Sequence, residues 1–406
     1  MPFRLMRSPS TSRVEVPFSA RFHFAQSGRH PDGMPVEGLR MVRDPQVPDT
    51  GRAQVPDTGR AQVPDTGRAQ VPDTGAVQLP DTGPVRVSPP RFEHRPVMLD
   101  EVVELLAGVP AGIYLDATLG GAGHAGALLD AAPQLSLVGL DQDPEAVEAA
   151  TAALRRFGSR ARVVRSRFDR AGEVLDRIGV DGLSAALFDL GVSSPQFDRP
   201  ERGFSYRAEA ALDMRMDPTG PLTAADVVNG WAERDLATLF REHGETRFAG
   251  RIARAVVAHR PVATTTELAE IVKGAIPAPA RRTGGHPARR VFQAVRVAVN
   301  QELAILPAAL DAVMSRLVPG GRCVVLSYHS GEDRIVKERF RHAATGGCVC
   351  PPGLPCVCGA QPTVRLLTRG SRRPSAAEVE ANHRAESVRL RAVEGLGAPG
   401  TEGSSR

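Results

Sequence analysis

Lysine is nearly absent: Lys273 and Lys337 are the only two among 51 basic residues. Set beside abundant alanine, glycine and proline, that bias reads as a GC-rich coding sequence, so the arginine count alone is no evidence of a phosphate-binding function. Charge of one sign is also scarce. A net charge of +5 over 406 residues does not demand a nucleic-acid partner, although local clusters can still bind phosphate. Aromatic residues make up only 4% of the chain, yet a hydrophobic content of 42% is enough for a globular core. No apolar run reaches the length of a membrane span, and no signal-peptide segment is read at the N-terminus. The expectation is a cytoplasmic enzyme with no membrane partner.

What is there begins with a repeat. From Gln46 to Val85 an eight-residue unit recurs five times, opening as Gln46-Val-Pro-Asp-Thr-Gly-Arg-Ala53. Pro-Asp-Thr-Gly is turn chemistry, and one valine or leucine per unit builds no core. Residues 1–90 are therefore expected to be a disordered extension, and 397–406 a disordered tail.

The stretch Tyr114-Leu-Asp-Ala-Thr-Leu-Gly-Gly-Ala-Gly-His124 organises the rest. A short strand closes at Asp116, a small-residue turn follows, and a helix starts at His124. Such a turn lets backbone N–H groups approach a ligand closely. A second strand, Leu135 to Leu140, ends in Asp141, about twenty residues beyond the turn, where Rossmann-type sites place the carboxylate that accepts ribose hydroxyls. Further strands are expected over 161–168 and 183–190, the latter apolar until Asp189. Apolar strands alternating with helices imply a parallel sheet covered on both faces. Asp116, Asp141, Phe168 and Asp189 then face one crevice at the strand ends.

From about 198 to 290 the pattern turns helical and polar, with a capping box at Thr264 and Glu267. A long helix is expected over 291–317, a fifth strand over 323–328 after the Pro319-Gly-Gly321 turn, and a last strand over 388–393.

Several long motifs occur in a fixed order. They are Asp189-Leu-Gly-Val-Ser-Ser-Pro-Gln196, Arg202-Gly-Phe-Ser205, Leu212-Asp-Met-Arg-Met-Asp-Pro218, Phe292-Gln-Ala-Val-Arg296 with Asn300, and Ser327-Tyr-His-Ser330 with Glu332-Asp-Arg-Ile-Val-Lys337. Together they resemble the bacterial 16S rRNA cytosine-N4 methyltransferase family, over about 94–391. The resemblance implies an α/β, Rossmann-like class I methyltransferase sheet with an inserted helical domain. Core segments are expected over 91–197 and 291–396, the insert over 198–290. S-adenosyl-L-methionine is the implied cofactor, held by Ala122, Gly123, His124, Asp141, Phe168, Asp189 and Gln196. The implied partner is 16S rRNA within the small ribosomal subunit. By analogy with DNA amino-methyltransferases, Asp189 and the Ser193-Ser194-Pro195 turn are assigned to the reacting amine. Methyl transfer to another RNA base, and a non-catalytic assembly factor, are the competing readings.

On the RNA side the candidates are Arg247, Arg251 and Arg254 at helical spacing, Arg289 and Arg290 in a second basic cluster, and His329 and Asp333 after the fifth strand. Cys348, Cys350, Cys356 and Cys358 form C-x-C-x5-C-x-C in a Pro/Gly-rich loop, which reads either as a zinc site or as free thiols. The chain departs from the family at Ala122, where glycine is common, and at Tyr328 and Gly331, where phenylalanine and leucine are usual. His383 and Glu386 stand where the family usually carries proline and arginine. A Cβ at Ala122 is expected to crowd the cofactor if that residue takes positive φ.

Overall fold

The computed structural model describes residues 96–282, 286–351 and 355–397. The repeat-bearing extension and the C-terminal tail lie outside the described residues. Helix α1 (Leu99–Leu106) leads into β1 (Gly112–Asp116), α2 (Gly123–Ala131), β2 (Leu135–Asp141), α3 (Pro144–Leu154), β3 (Ala161–Arg165), α4 (Ala171–Arg177) and β4 (Leu183–Asp189). A helical block follows: α5 (Ser194–Asp198), α6 (Ala224–Gly230), α7 (Glu233–Glu242), α8 (Ala249–Ala258), α9 (Thr265–Ala275) and α10 (Arg289–Asn300). The chain then returns through α11 (Glu302–Met314), β5 (Leu317–Ser327), α12 (Ser330–Thr345), β6 (Val364–Leu366), α13 (Ala376–Ala381) and β7 (Arg389–Gly395).

The strands form one sheet in the order β3-β2-β1-β4-β5-β7-β6. The first five are parallel; β7 runs antiparallel to both β5 and β6. This is the Rossmann-like class I methyltransferase arrangement. The chain winds outward from β1 to β3, then returns to the other side of β1 as β4. That reversal leaves a crevice beyond the ends of β1 and β4. In register, Asp116 pairs with Gly139 and Leu187, Asp141 with Arg165, and Asp189 with Leu326, so all three acids finish at one edge.

Alternate strand residues enter different cores. Tyr114, Leu137 and Leu187 pack with Leu106 and Leu128 on one face. Leu115, Val138 and Phe188 pack with Leu175, Leu310 and Val313 on the other. Burial on both faces is why these strands are continuously apolar. The helical block has its own core, with Phe240, Ile252 and Val272 completely buried. Each such side chain contributes about 1.5–3 kcal/mol relative to exposure.

Three local expectations change. The helix expected over 291–317 is two helices, bent by 56° at Gln301, whose φ of 56° is left-handed. Asn300 fixes the break by turning its amide onto the insert, and α10 packs into the insert's core as far as Val299, past the boundary expected at 290. Strand β5 starts at Leu317, because the Pro-Gly-Gly turn is a register irregularity within it; a Cβ on Gly321 would stand 2.6 Å from the Leu183 carbonyl oxygen. Strand β6, only three residues long, had no readable pattern. Among the described residues no single helix is long and apolar enough to cross a membrane.

Candidate active site

A cavity of about 320 Å³ lies where the strand order reverses. Its wall includes Gly120, Gly123, His124, Asp141, Phe168, Asp189, Ser193 and Gln196, so the sheet brings most of the expected donor-site residues together.

The glycine turn fits between two walls. Gly120 has φ 51° and donates its N–H to Asp141 Oδ2 at 2.8 Å. A Cβ on Gly123 would stand 2.4 Å from Pro96 Cγ, so only glycine lets that backbone pass. Ala122 does take positive φ, at 63°, but it does not crowd the crevice. It is only 4% exposed, packs in the core beneath the turn with Leu119 and Leu128, and is not among the residues that line the cavity. Left-handed backbone at a non-glycine residue costs about 1–3 kcal/mol.

Asp141 receives a second N–H, from Asp143 to Oδ1 at 2.9 Å. Burial pushes its pKa up, and the backbone donors oppose that shift. Each carboxylate oxygen keeps a further lone pair, the acceptor pair that a ribose diol needs. Phe168 stands edge-on to Phe188, with centroids 6.0 Å apart, and lines the same cavity.

Asp189 is held from three sides. Its N–H donates to Thr118 Oγ1 at 2.6 Å, the Tyr328 hydroxyl donates to Oδ1 at 2.7 Å, and His124 Nδ1 lies 3.6 Å from Oδ2. The His124 ring is anchored in turn, with Nε2 2.9 Å from the Val97 carbonyl oxygen, an acceptor that requires the proton on Nε2. Beyond Asp189 the chain loops through Gly191 (φ 105°) into α5. Gln196 closes that loop: its Oε1 accepts the Ser193 N–H at 3.1 Å, and its Nε2 donates to Asp143 Oδ2 at 2.8 Å. Ser194 and Pro195 form the first turn of α5; their side chains lie outside the described residues.

Three residues that lay in sequence motifs without an assigned role also line the cavity, Met216, Asn300 and Glu332, and so does Glu302, which no motif singled out. The Asn300 amide clamps the insert segment, accepting from Met216 N and donating to the Met214 carbonyl, each at 2.8 Å. Glu302 forms a buried fork with Arg296 at 2.9 Å for both contacts. Glu332 Oε2 accepts N–H bonds from Tyr328 and His329, whereas its buried Oε1 has no aligned hydrogen-bond partner although His329 Nε2 is 3.1 Å away. Burial opposes its ionisation, but His329 and Arg296 outweigh that and hold its pKa below the usual carboxylate range.

The two expected RNA contacts after β5 have internal duties instead. His329 is the N-cap of α12, and its Nδ1 accepts the Gly331 and Glu332 N–H groups. Asp333 is buried beneath Arg389 and Arg391, with Arg391 Nε donating at 2.7 Å, which pins α12 to β7. Neither lines the cavity. Their spacing from the strand end suggested the crevice, but the helix turns both side chains elsewhere.

Arg247, Arg251 and Arg254 are exposed around the start and outer face of α8, with Arg247 over the Phe248 ring and Arg254 3.5 Å from Glu233. Arg289 and Arg290 are exposed at the start of α10, and Arg290 lies 3.7 Å from the buried Glu245. A second cleft, unforeseen in the sequence, adjoins the cavity and shares Gln142, Ser166, Arg167 and Asn300 with it. Arg165, Arg170 and Arg215 add three more guanidinium groups to its wall. Residues distant in sequence assemble it: Arg165, at the end of β3, reaches Asp217 of the insert at 2.8 Å. The four cysteines meet in the loop between α12 and β6 and take no part in the crevice.

Asp116 lies below the site and has an energetic consequence. It is fully buried, and burial raises its pKa from 3.8 to about 6, against the opposing effects of His124 and the Tyr114 hydroxyl. A raised carboxylate favours the folded state below its unfolded pKa, and that stability is lost as pH rises through about 6. The loss amounts to about 3 kcal/mol. In denaturant titrations, wild-type stability should therefore fall by that much more than that of Asp116→Asn between about pH 4 and 7. Parallel pH profiles for the two proteins would show that Asp116 is ionised at little cost.

The lining suits S-adenosyl-L-methionine. Asp189 and Glu302 bring carboxylates to the wall that would face a cationic donor, Asp141 offers acceptors to a diol, and Phe168 an apolar face to a base.

Comparison with known proteins agrees. The model of the MraW methylase family matches residues 91–396. The ribosomal RNA small subunit methyltransferase H of Symbiobacterium thermophilum is 52% identical over 307 residues, covering 74% of this chain and 96% of that protein. Its counterpart from Mycobacterium sp. (strain KMS) is 53% identical over 311 residues, covering 74% of this chain and 84% of the relative. For Thermobifida fusca the identity is 52% over 308 residues, with 74% and 93% covered. A match that runs through every strand of the sheet and the whole helical insert is a match to the folded unit entire, and the chain belongs to the MraW methylase family of S-adenosyl-L-methionine-dependent methyltransferases.

Proposed function

We propose that this protein methylates the N4 amine of a cytosine in the decoding region of 16S rRNA, within the small ribosomal subunit and in the cytoplasm. The observation that carries the reading is Asp189. A carboxylate closes β4 at the cavity wall, braced by Tyr328 and followed at once by the loop that Gln196 locks. The relatives' shared name, ribosomal RNA small subunit methyltransferase, supports the choice of RNA.

S-adenosyl-L-methionine supplies an electrophilic methyl group on a sulfonium. A cytosine amine is a poor nucleophile, because its lone pair is delocalised into the ring. Asp189 accepts a hydrogen bond from that amine, which favours a tetrahedral nitrogen and an in-line approach. The Ser193-Ser194-Pro195 turn is assigned to the same amine, with Ser193 in the cavity wall. Asp141 orients the donor through its ribose, Phe168 through its base, and the Gly120–Gly123 turn through backbone N–H groups. The target base must be unpaired or flipped to reach a crevice this deep.

The RNA backbone then crosses the arginine-lined cleft, with Arg247, Arg251, Arg254, Arg289 and Arg290 on the insert as outer contacts. Charge reversal at Arg165 and Arg170 should weaken binding to small subunits. The salt dependence of that binding should flatten by about 0.7–0.9 of a log unit for each phosphate that is no longer neutralised. Donor affinity should stay at the wild-type value, since neither residue lines the cavity. The triple reversal at Arg247, Arg251 and Arg254 tests the outer face the same way; an unchanged slope there makes that row a solvated surface.

The function itself is tested by offering labelled donor to purified small and large subunits. Label in 16S rRNA alone is expected. Label confined to ribosomal proteins or to large-subunit RNA would overturn the substrate, and no transfer at all would favour a non-catalytic assembly factor.

A further inference from the structure

Helix α12 starts at the cavity, where Glu332 sits, and runs 16 residues away from it. At a rise of about 1.5 Å per residue its far end is about 24 Å from the site. There the chain enters a loop whose ends meet: a Cβ on Gly346 would stand 2.4 Å from the Gln361 backbone, and Thr363 N–H donates to the Ala343 carbonyl at 3.0 Å. The loop's valines face water, with Val349 85% and Val357 88% exposed.

The Sγ atoms of Cys348, Cys350, Cys356 and Cys358 all lie within 4.8 Å of one another. Cys348–Cys356 and Cys356–Cys358 are 3.5 Å apart, and Cys348–Cys358 3.6 Å. Tetrahedral bonds of about 2.3 Å to one central ion would put the sulfurs about 3.8 Å apart. Backbone donors point at the same atoms. Val357 N–H reaches Cys350 Sγ at 3.4 Å, Val349 and Ala360 N–H groups reach Cys358, and the Cys350 N–H reaches Cys348. An N–H donor favours a thiolate over a thiol, and several thiolates at such spacing repel unless a cation lies among them.

We propose that Cys348, Cys350, Cys356 and Cys358 bind one zinc ion, a structural site that fixes the loop between α12 and β6. The ligand set is closed, with four protein sulfurs and no open position for substrate, which assigns it to structure and not to methyl transfer. Each thiol surrenders its proton to solvent as it binds, so loading weakens as pH falls. The inference stands on the loop alone and is independent of which base the enzyme methylates.

The test uses the full-length protein, purified without chelator and analysed for metals by mass spectrometry. One zinc per chain is expected, falling to none in Cys350→Ser and in Cys356→Ser but retained in Cys323→Ser, because Cys323 is buried in β5. Should the serine variants fail to fold, the wild-type protein still decides. Exchange of its metal for cobalt should produce thiolate-to-cobalt charge-transfer absorption with tetrahedral ligand-field bands, and chelation should lower its melting temperature. A metal-free protein that takes up no zinc on dialysis, two disulfides by intact mass, or iron in place of zinc would each overturn the assignment.

Discussion

Asp189→Asn should slow methyl transfer by about 10²- to 10⁴-fold, the usual contribution of a positioned proton acceptor, while the protein melts as wild type does. Asparagine preserves the volume and can still accept the Tyr328 hydroxyl bond. What it removes is the charge that faces the cavity and the capacity to take a proton from the amine. The measurement is single-turnover transfer at saturating donor, which separates chemistry from donor binding. Tyr328→Phe is the graded companion: it removes one hydrogen bond from Asp189. A loss of roughly 2- to 10-fold is expected from a bond worth about 0.5–1.5 kcal/mol. If Asp189→Asn turns over within about threefold of wild type, well below that range, the acceptor lies elsewhere in the crevice.

Asp141→Ala should weaken donor binding by about 2–3 kcal/mol, the usual worth of a hydrogen-bonded charged group, or roughly 30- to 150-fold in Kd. Part of that loss comes through the turn. The carboxylate also accepts the N–H groups of Gly120 and Asp143, which alanine leaves without their acceptor. Asp141→Asn separates the contributions, since its amide oxygen can keep one backbone donor while its NH₂ opposes the other. Calorimetry with the donor and a thermal melt on each variant are sufficient. Wild-type affinity in a normally melting Asp141→Ala would remove this residue from the donor site.

The sequence was most legible where local chemistry determines structure. Each of β1, β2 and β4 is an apolar run that ends in an aspartate, and in a parallel sheet those ends share one edge, so Asp141 and Asp189 could be placed from their spacing alone, whereas Asp116, expected to face the same crevice, is buried beneath it against the Tyr114 hydroxyl. Gly123 was legible for a related reason, because a turn that passes Pro96 tolerates no Cβ. The opposite wall was less readable. Glu302 and Glu332 reach the cavity only because α11 and α12 pack against the sheet, and Glu302 owes its position to a left-handed Gln301 that no helical periodicity reveals. His329 and Asp333 show the reverse failure: their distance from a strand end was right, but capping and an ion pair to β7 claim their polar atoms. The arginine-lined cleft joins β3 to the insert across some fifty residues, a relation that spacing within one element cannot carry. Arginine bias hid it further, since a chain with 49 arginines among its 51 basic residues offers no local contrast.

The crevice beside Asp189 is the place where a methyl group would pass to an exocyclic cytosine amine. Nucleoside mass spectrometry of 16S rRNA, taken from small subunits incubated with this protein and isotopically labelled donor, tests it most directly. Label is expected in N4-methylcytidine within a decoding-region fragment, and none when Asp189→Asn is used for the same time. Label in a ring-carbon-methylated cytidine, in a purine, or at undiminished yield with Asp189→Asn would contradict it.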